Sequence, residues 1–181
     1  SMAGVTRLSG ADIARIPQAT FADVLRTVPG FAVVDFDGLG FDPQLITRGF
    51  YGGGEAEYVV VLLDGKPLNQ VHTGRALWEA LPSGTAIEAI EIVRGGNSAL
   101  YGDAAIGGVI NVISKTIDKD AEKFVTRFEL TQGSYGLQQL MSSATGSRGN
   151  ISFGRSGTGV GEDSFRTHSE RMSSHVRARL T

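Results

Sequence analysis

The side chains that could carry out chemistry in this sequence are scattered along it, and each candidate arrangement lacks a necessary partner. Ser98 lies in Gly-Asn-Ser-Ala-Leu, which lacks the second glycine of a hydrolase nucleophile elbow. Asp64 precedes a glycine in a turn and has no partnered base. His168 and His175 lie seven residues apart without a third clustered ligand. The sequence therefore predicts no enzyme and no metal site.

The sequence also lacks the motifs and the charge that are typical of proteins that bind nucleotides or nucleic acids. The glycines at 52–54 and the segment 94–98 fit neither the phosphate-binding P-loop nor the dinucleotide fingerprint. The formal charge is -2, whereas a nucleic-acid-binding domain carries a clustered basic surface. There are no cysteines to form a disulfide or a thiolate metal site. We therefore expect no cofactor and no nucleic-acid partner.

Two arginines, Arg48 and Arg94, each precede a glycine at the end of a predicted strand. A guanidinium in that place can form a bidentate pair with a carboxylate, and the glycine lets the backbone bend without a Cβ clash. The alternative is a solvated arginine beside a turn. From the residues alone, both interpretations remain open.

The elements that must position these residues begin with a short helix. Thr20-Phe-Ala-Asp23 is a capping pattern, apolar residues follow at helical spacing, and Pro29-Gly30 ends the segment. Segments 31–36 and 45–48 are predicted strands, as are the apolar run 58–63 and the segment 87–93. Residues 75–81 are a predicted short helix. The first 116 residues are thus expected to form a compact mixed α+β unit.

The character of the sequence changes after residue 116. A charged connector at 117–123 is followed by segments that alternate weakly between apolar and polar residues, with strands predicted at 124–131, 137–145, 150–155 and 171–180. The polar stretch 156–170 is predicted to be an extracellular loop. This alternation fits tilted membrane-spanning strands, and it also fits a soluble antiparallel sheet. We therefore predict two domains, residues 1–117 and residues 118–181.

Four motifs occur in order along the first part of the chain: Leu25-Arg-Thr-Val-Pro-Gly-Phe31, Ile46-Thr-Arg-Gly-Phe50, Val61-Leu-Leu-Asp-Gly-Lys-Pro-Leu68, and Ile90-Glu-Ile-Val-Arg-Gly95 continuing into Ser98-Ala-Leu-Tyr-Gly102 and Ala105-Ile-Gly-Gly-Val-Ile-Asn-Val-Ile113. This ordered set resembles the plug domain of TonB-dependent outer-membrane receptors over roughly residues 5–116. The family often has Arg-Gly-Pro where this chain has Arg94-Gly95-Gly96. That departure puts the rigidity of the loop in doubt.

The resemblance implies an α+β plug domain, with a small mixed sheet and short helices, followed by antiparallel strands of an incomplete transmembrane barrel. It places ligand contacts on apical loops at 50–57 and 69–74, and it makes Arg48 and Arg94 a latch to glutamates of the barrel wall. The candidate ligand contacts are Tyr51, Glu55, Glu57, Asn69, Gln70, His72 and Thr73. The predicted structural turns are Gly49, Asp64, Gly65, Gly95, Gly102, Gly107 and Gly108.

The function implied by the resemblance is the gate and ligand sensor of an outer-membrane transporter for a scarce solute, most simply a ferric siderophore or similar metal chelate. TonB would be a partner through an N-terminal segment that this chain lacks. We expect the chain to be an excised fragment that self-associates through open strand edges. The alternative is a soluble plug-like binding or adaptor module that does not enter a membrane.

Overall fold

A computed structural model describes residues 4–16, 20–35, 43–47, 49–51, 58–95, 101, 103–116, 124–133, 136–148, 151–162 and 169–180. In chain order the strands are β1 (Val5–Ser9), β2 (Phe31–Asp35), β3 (Pro43–Thr47), β4 (Phe50–Tyr51), β5 (Val59–Leu63), β6 (Lys66–Pro67), β7 (Ile87–Arg94), β8 (Gly108–Ser114), β9 (Val125–Gln132), β10 (Gln138–Arg148), β11 (Ile151–Glu162) and β12 (Ser169–Leu180). The α-helices are α1 (Gly10–Ile13) and α2 (Phe21–Arg26), and short 3-10 helices span Trp78–Ala80, Gly84–Ala86 and Asp103–Ile106.

The chain divides into two compact units, each continuous in space but not in sequence. One unit comprises Ser1–Leu81 and Glu88–Ser114, and the other comprises Pro82–Ile87 and Lys115–Thr181. The second unit therefore includes a six-residue segment from within the first part of the chain. The sequence boundary at residue 117 did not anticipate this insertion.

A five-stranded mixed sheet in the order β1-β7-β8-β5-β6 organises the first unit. Strand β5 reads Val-Val-Val-Leu-Leu, a β-branched run that suits a strand buried on both faces, and its first four residues are buried. It runs parallel to β8, whereas β1 is antiparallel to β7. The interior position of β5 confirms the prediction from its unbroken apolar run.

Helix α2 confirms the helix predicted from the capping pattern at Thr20. The Thr20 hydroxyl accepts a hydrogen bond from the Asp23 amide, and the Asp23 carboxylate accepts one from the Thr20 amide. The helix buries Ala22, Val24 and Leu25. At its far end, Arg26 contacts Asp35 of β2 at 3.7 Å as well as Asp23 at 2.7 Å.

Two differences from the sequence prediction concern short elements of the first unit. The helix expected at 75–81 is reduced to the single 3-10 turn Trp78–Ala80, since the preceding residues are bonded across a loop instead. Strand β1 and helix α1 were not anticipated, because five residues of alternating burial are a weak signal at the start of a chain. A second antiparallel sheet, in the order β2-β3-β4, completes the unit.

The second unit is a four-stranded antiparallel meander in the order β12-β11-β10-β9. Its strands β10 and β11 are longer than predicted. Residues 156–162, expected in an extracellular loop, continue β11 and pair with β10 from Gly161–Gln138 to Ser156–Ser143. The prediction failed because Gly157, Gly159 and Gly161 carry no side chain, which hides the alternation of a strand.

The meander has two chemically different faces. The register places Leu130, Leu140, Gly159 and Met172 on one rung of one face, while Arg127 and Glu129 belong to the opposite face. Phe128 is 74% exposed and Met172 is 86% exposed. We call the surface bearing Phe128, Leu130, Leu140 and Met172 the apolar face. The alternation predicted for 124–131 is confirmed.

The described part of the chain contains neither a membrane-spanning helix nor a cluster of metal-ligating side chains. No helix in it is long and apolar enough to cross a membrane. Within the same residues, no three acidic, histidine or cysteine side chains form a cluster able to hold a metal ion.

Candidate functional site

Asn69 anchors the second apical loop rather than presenting its amide outward. Its side-chain oxygen accepts a hydrogen bond from the Val61 amide at 2.8 Å. Its side-chain nitrogen donates to the carbonyl oxygens of Val59 at 3.1 Å and Gly74 at 2.8 Å. Both polar atoms of Asn69 are therefore engaged in fixing the loop to β5, and the ligand contact predicted for this residue stays a prediction.

The loop that follows Asn69 is closed by its own hydrogen bonds. The Gln70 amide donates to the Arg75 carbonyl oxygen at 2.8 Å, and the Gly74 amide donates to the Gln70 carbonyl oxygen at 2.8 Å. The Thr73 hydroxyl donates to the Gln70 side-chain oxygen at 2.8 Å, and Gly74 adopts a φ of 72°. We call residues 70–75 the braced loop. Gln70 and Thr73 thus hold each other at its base.

The tip of the braced loop carries the side chains that are free to meet another molecule. Val71 is 97% exposed and His72 is exposed. His72 was predicted from the sequence as a ligand contact and Val71 was not, because an isolated apolar residue in a polar loop gives no sequence signal of contact. Only the structure separates these two exposed tip residues from the three bracing residues around them.

The other predicted apical loop, at 50–57, is described by the structure only at residues 50 and 51. Glu55 and Glu57 lie outside the described residues, and so does Arg48. The backbone of Tyr51 pairs with Ile46 in the sheet formed by β3 and β4. Their predicted roles in ligand contact and in the latch stay predictions.

Arg94 joins three segments of the first unit. Its Nη1 donates to the Pro29 carbonyl oxygen at 2.9 Å, and its Nη2 donates to the Thr6 hydroxyl at 3.0 Å. Its backbone amide donates to the Gly4 carbonyl oxygen at 3.1 Å. The end of β7, the start of β1 and the turn after α2 therefore meet at one side chain, which we call the Arg94 junction.

The packing around the Arg94 junction leaves little free space. A Cβ placed on Gly4 would lie 3.2 Å from Arg94 Nη2, and one on Gly30 would lie 3.8 Å from Arg94 Cδ. Gly30 also has a φ of 90°, which an L-residue rarely adopts. The Nε atom of Arg94 is buried and has no hydrogen-bond partner among the described residues.

The turn between β5 and β6 is tied to β8 by two polar side chains. Asp64 has a φ of 50°, and its carboxylate accepts hydrogen bonds from the Ser114 amide at 2.9 Å and the Ser114 hydroxyl at 2.6 Å. The Asn111 side-chain oxygen accepts one from the Gly65 amide at 3.1 Å. Asp64 is a structural residue here, and it tolerates the left-handed conformation because aspartate enters that region more readily than most side chains.

Two adjacent glycines occupy the entry to β8, where side chains would collide with backbone. A Cβ on Gly107 would lie 2.8 Å from the Tyr58 carbonyl oxygen, and one on Gly108 would lie 2.8 Å from the Val93 carbonyl oxygen. Gly49, Gly65 and Gly95 have φ values of 81°, 78° and 111°. Gly102 lies outside the described residues.

A group of hydroxyl side chains in the second unit was missed by the sequence analysis. The Ser83 amide donates to the Ser156 hydroxyl at 3.3 Å, and the hydroxyls of Ser83 and Thr85 lie 2.9 Å apart. Lys115 Nζ donates to the Thr85 carbonyl oxygen at 2.7 Å. These bonds fasten the inserted segment Pro82–Ile87 to β11 and to Lys115, which directly follows β8. Serines and threonines separated by about 70 residues give no sequence signal of contact.

Comparison with known proteins places these features in context. The family model "TonB-dependent Receptor Plug Domain" matches residues 1–109. A vitamin B12 transporter, BtuB of Vibrio vulnificus, is 33% identical over 150 residues, which cover 83% of this chain and 23% of that protein. The chain therefore spans about a quarter of the length of that curated relative.

Solved structures give the same fold. The siderophore receptor PirA from Pseudomonas aeruginosa is 26% identical, with a TM-score of 0.61 over 89% of this chain and 29% of PirA. The pyoverdine outer membrane receptor FpvA from Pseudomonas aeruginosa PAO1 is 22% identical, with a TM-score of 0.67 over 96% of this chain and 24% of FpvA. These matches agree with the predicted α+β sheet unit followed by antiparallel strands.

Proposed function

Because the chain belongs to the TonB-dependent receptors, a family of outer-membrane proteins, and carries their plug domain, we propose that it gates a solute pathway and senses the solute. The observation that supports this most strongly is the braced loop, whose exposed tip is held by bonds internal to the first unit. The relatives are transporters and receptors, in agreement with the prediction that the chain is not an enzyme. Membership of this outer-membrane family argues against the alternative of a soluble adaptor module.

We propose that the solute is a metal chelate, either a ferric siderophore or a cobalamin. The siderophore receptors among the solved structures favour the first, and the B12 transporters among the curated relatives favour the second. Val71 and His72 supply an apolar contact and an imidazole at the loop tip, which suit a large ligand with both apolar and polar surface. Uptake would draw energy through TonB, as the family name implies.

Uptake by the full-length receptor tests this function. A strain carrying its gene, with and without TonB, is supplied with iron chelates and cobalamin one at a time. We expect growth-supporting uptake of one of these solutes, and only when TonB is present. Uptake that does not depend on TonB, or uptake of none of the solutes at concentrations that support related receptors, would contradict the proposal.

The loop tip can be tested separately from the braces that hold it. We expect Val71→Ser and His72→Ala to weaken binding of the transported chelate about tenfold or more while leaving backbone amide exchange in the braced loop unchanged, since neither side chain bonds the loop. Thr73→Val is the matched control, because it removes a brace. It should raise exchange in the loop along with any loss of affinity.

The predicted latch to barrel-wall glutamates remains part of this proposal. Arg94 Nη1 and Nη2 each donate one hydrogen bond within the first unit, so a glutamate would have to accept from the second N–H of one of these nitrogens or replace an existing acceptor. We expect the double variant Arg48→Ala and Arg94→Ala to loosen plug retention in the receptor. Unchanged uptake and unchanged current noise through the double variant in a planar bilayer would contradict the latch.

A further inference from the structure

The apolar face of the second unit contains a groove with a cation at one end. The groove encloses about 330 Å³, and its walls include Phe128, Leu140 and Met172. Its floor is made of small residues such as Ser142, Gly157 and Gly159, and Arg155 lies at its end. The groove is thus lined by three large apolar side chains and has one guanidinium at its end.

Arg155 is out of place on a surface of this kind. It is exposed, and it shares a rung with Thr126, Ala144 and Val176. Among the side chains that the structure describes on the apolar face, it is the only charged one, and its guanidinium makes no ion pair or hydrogen bond with another described residue. A lipid-facing arginine is costly near the bilayer midplane and well tolerated near the interface.

The register indicates where Arg155 lies between the ends of the strands. It is the fifth residue of β11, which begins at Ile151, so it lies about 9 Å from that end along the membrane normal for a strand tilted by roughly 45°. The next rung toward that end carries Phe153, whose ring lies 6.2 Å from that of Phe124. Aromatic girdles of this type mark the membrane interface.

We propose, on the basis of the outer-membrane location, that Arg155 and this groove bind one membrane phospholipid. The guanidinium would donate two parallel hydrogen bonds to the phosphate, the geometry that arginine favours for such groups. One acyl chain would lie over Ser142, Gly157 and Gly159, between Phe128 and Met172. Residues 149–150 are the short connection between β10 and β11, and short connections face the periplasm, so the lipid belongs to the periplasmic leaflet.

Charge complementarity is the reason to choose a phospholipid over other occupants of an apolar face. A second protein covering this face would leave the guanidinium buried and would need a matching carboxylate, whereas every phospholipid carries a phosphate at the interface. A free anion would satisfy Arg155 but would leave the apolar walls open. The phospholipid alone matches both the cation and the channel.

Native mass spectrometry of the full-length receptor tests the proposal. The detergent-purified receptor is mixed with phosphatidylglycerol, with diacylglycerol of the same chains, or with lipopolysaccharide. We expect retention of one phosphatidylglycerol, and weaker retention of diacylglycerol by tenfold or more. Equal retention of diacylglycerol would overturn the phosphate contact, and retention of lipopolysaccharide alone would overturn the choice of a phospholipid.

Variants separate the two halves of the site. Arg155→Gln should reduce phosphatidylglycerol retention at least tenfold, and Arg155→Lys should reduce it less, since lysine keeps the charge but not the paired donors. Gly159→Leu should also reduce it by filling the groove, because a Cβ at Gly159 meets nothing within 4 Å and the backbone can accept it.

Arg127→Gln on the opposite face is the matched control and should leave retention unchanged. The unfolding midpoint of every variant is measured to show that it is folded. The site is absent if folded Arg155→Gln retains as much lipid as the parent, or if Arg127→Gln loses as much. Uptake of solute is not the readout, so failure here is distinct from failure of the transport proposal.

Discussion

Single polar side chains hold the turns and loops of the first unit in place. Asp64 ties one hairpin to β8, and Asn69 ties the braced loop to β5. Both residues accept a hydrogen bond from a backbone amide, and a buried backbone amide left without a partner costs about 1–3 kcal/mol. The two residues therefore matter for local order, and their substitution should be visible as local opening.

We expect Asp64→Asn to weaken the tie between the β5–β6 turn and Ser114. Asparagine tolerates the left-handed backbone, so the change removes the negative charge and one acceptor without adding strain. Losing about 1–2 kcal/mol should lower the hydrogen-exchange protection of the Ser114 amide roughly 5- to 30-fold. Lys66→Gln in the same hairpin is the control, and equal loss in both variants would contradict a specific role for Asp64.

Asn69→Asp tests the brace with a nearly isosteric change. The new carboxylate cannot donate to the carbonyl oxygens of Val59 and Gly74, and it repels both. We expect protection of the Gly74 amide to fall at least tenfold. Gln70→Glu is the matched control, because the Gln70 oxygen only accepts a hydrogen bond from Thr73. If protection of the Gly74 amide is unchanged in Asn69→Asp, Asn69 does not brace the loop, and ligand contact becomes the better explanation of its position.

At the scale of elements, the N-terminal strand β1 is an edge strand whose start is held by the Arg94 junction. Within the sheet, β1 is hydrogen-bonded to one neighbouring strand, β7. Arg7 adds an ion pair with Glu91, but Arg7 is exposed, and exposed pairs contribute about 0–1 kcal/mol. The part-buried hydrogen bond from Arg94 to Thr6 is therefore expected to hold this strand more strongly than the exposed ion pair.

Arg94→Gln should release the start of β1. Hydrogen bonds from a charged donor contribute about 1.5–3 kcal/mol, so we expect protection of the Thr6 amide to fall roughly 10- to 150-fold. Measurement by hydrogen exchange in the full-length receptor, with Arg7→Gln as control, checks this. If Arg7→Gln lowered protection of the Thr6 amide as much as Arg94→Gln, the loss of a positive charge, and not the loss of the Arg94 junction, would explain the effect.

Helix α1 depends on a carboxylate at its first turn and is expected to be sensitive to acid. The hydrogen bond from the Ser9 hydroxyl, followed by that from the Ser9 amide, lowers the pKa of Asp12 from its ordinary value of 3.8. A lowered folded-state pKa gives stability that is present above 3.8 and is lost as the pH falls below that value. The protection factor of the Ala14 amide should fall over that range, and Asp12→Asn should remove the pH dependence.

At the scale of the whole molecule, the meander separates a membrane-facing surface from a polar one by strand alternation alone. The exposed Phe128 and its neighbour Glu129 lie on opposite faces of β9. In an outer-membrane protein, the apolar face contacts lipid. Successive residues along each strand alternate between this face and the polar face. A charge should therefore have very different effects at adjacent positions.

We expect Phe128→Lys to destabilise the full-length receptor in a bilayer by about 2–4 kcal/mol, because a lysine near the midplane of the lipid face is desolvated. Glu129→Lys places the same side chain on the polar face and should change stability by less than about 1 kcal/mol. Urea unfolding in lipid vesicles measures both. A larger effect at Glu129 would reverse the assignment of the faces.

The sequence by itself determined the elements whose signals are local. The capping box at Thr20, the apolar run of β5 and the alternation of β9 depend on neighbours within a few residues, so their predictions were confirmed. The four motifs with their glycines and arginines could also be recognised from the sequence, because they occur in a fixed order along the chain. They identified the family.

Tertiary structure alone decided which polar side chains bond the loop and which point away from it unbonded. Asn69 and His72 are three residues apart and equally plausible as ligand contacts, yet only Asn69 meets β5. The Arg94 junction and the Ser83–Ser156 contact join residues separated by 65 and 73 positions, respectively, in sequence. The groove at Arg155 depends on the register of four strands. Such contacts form where folding brings distant backbone segments together, and no short-range pattern records that distance.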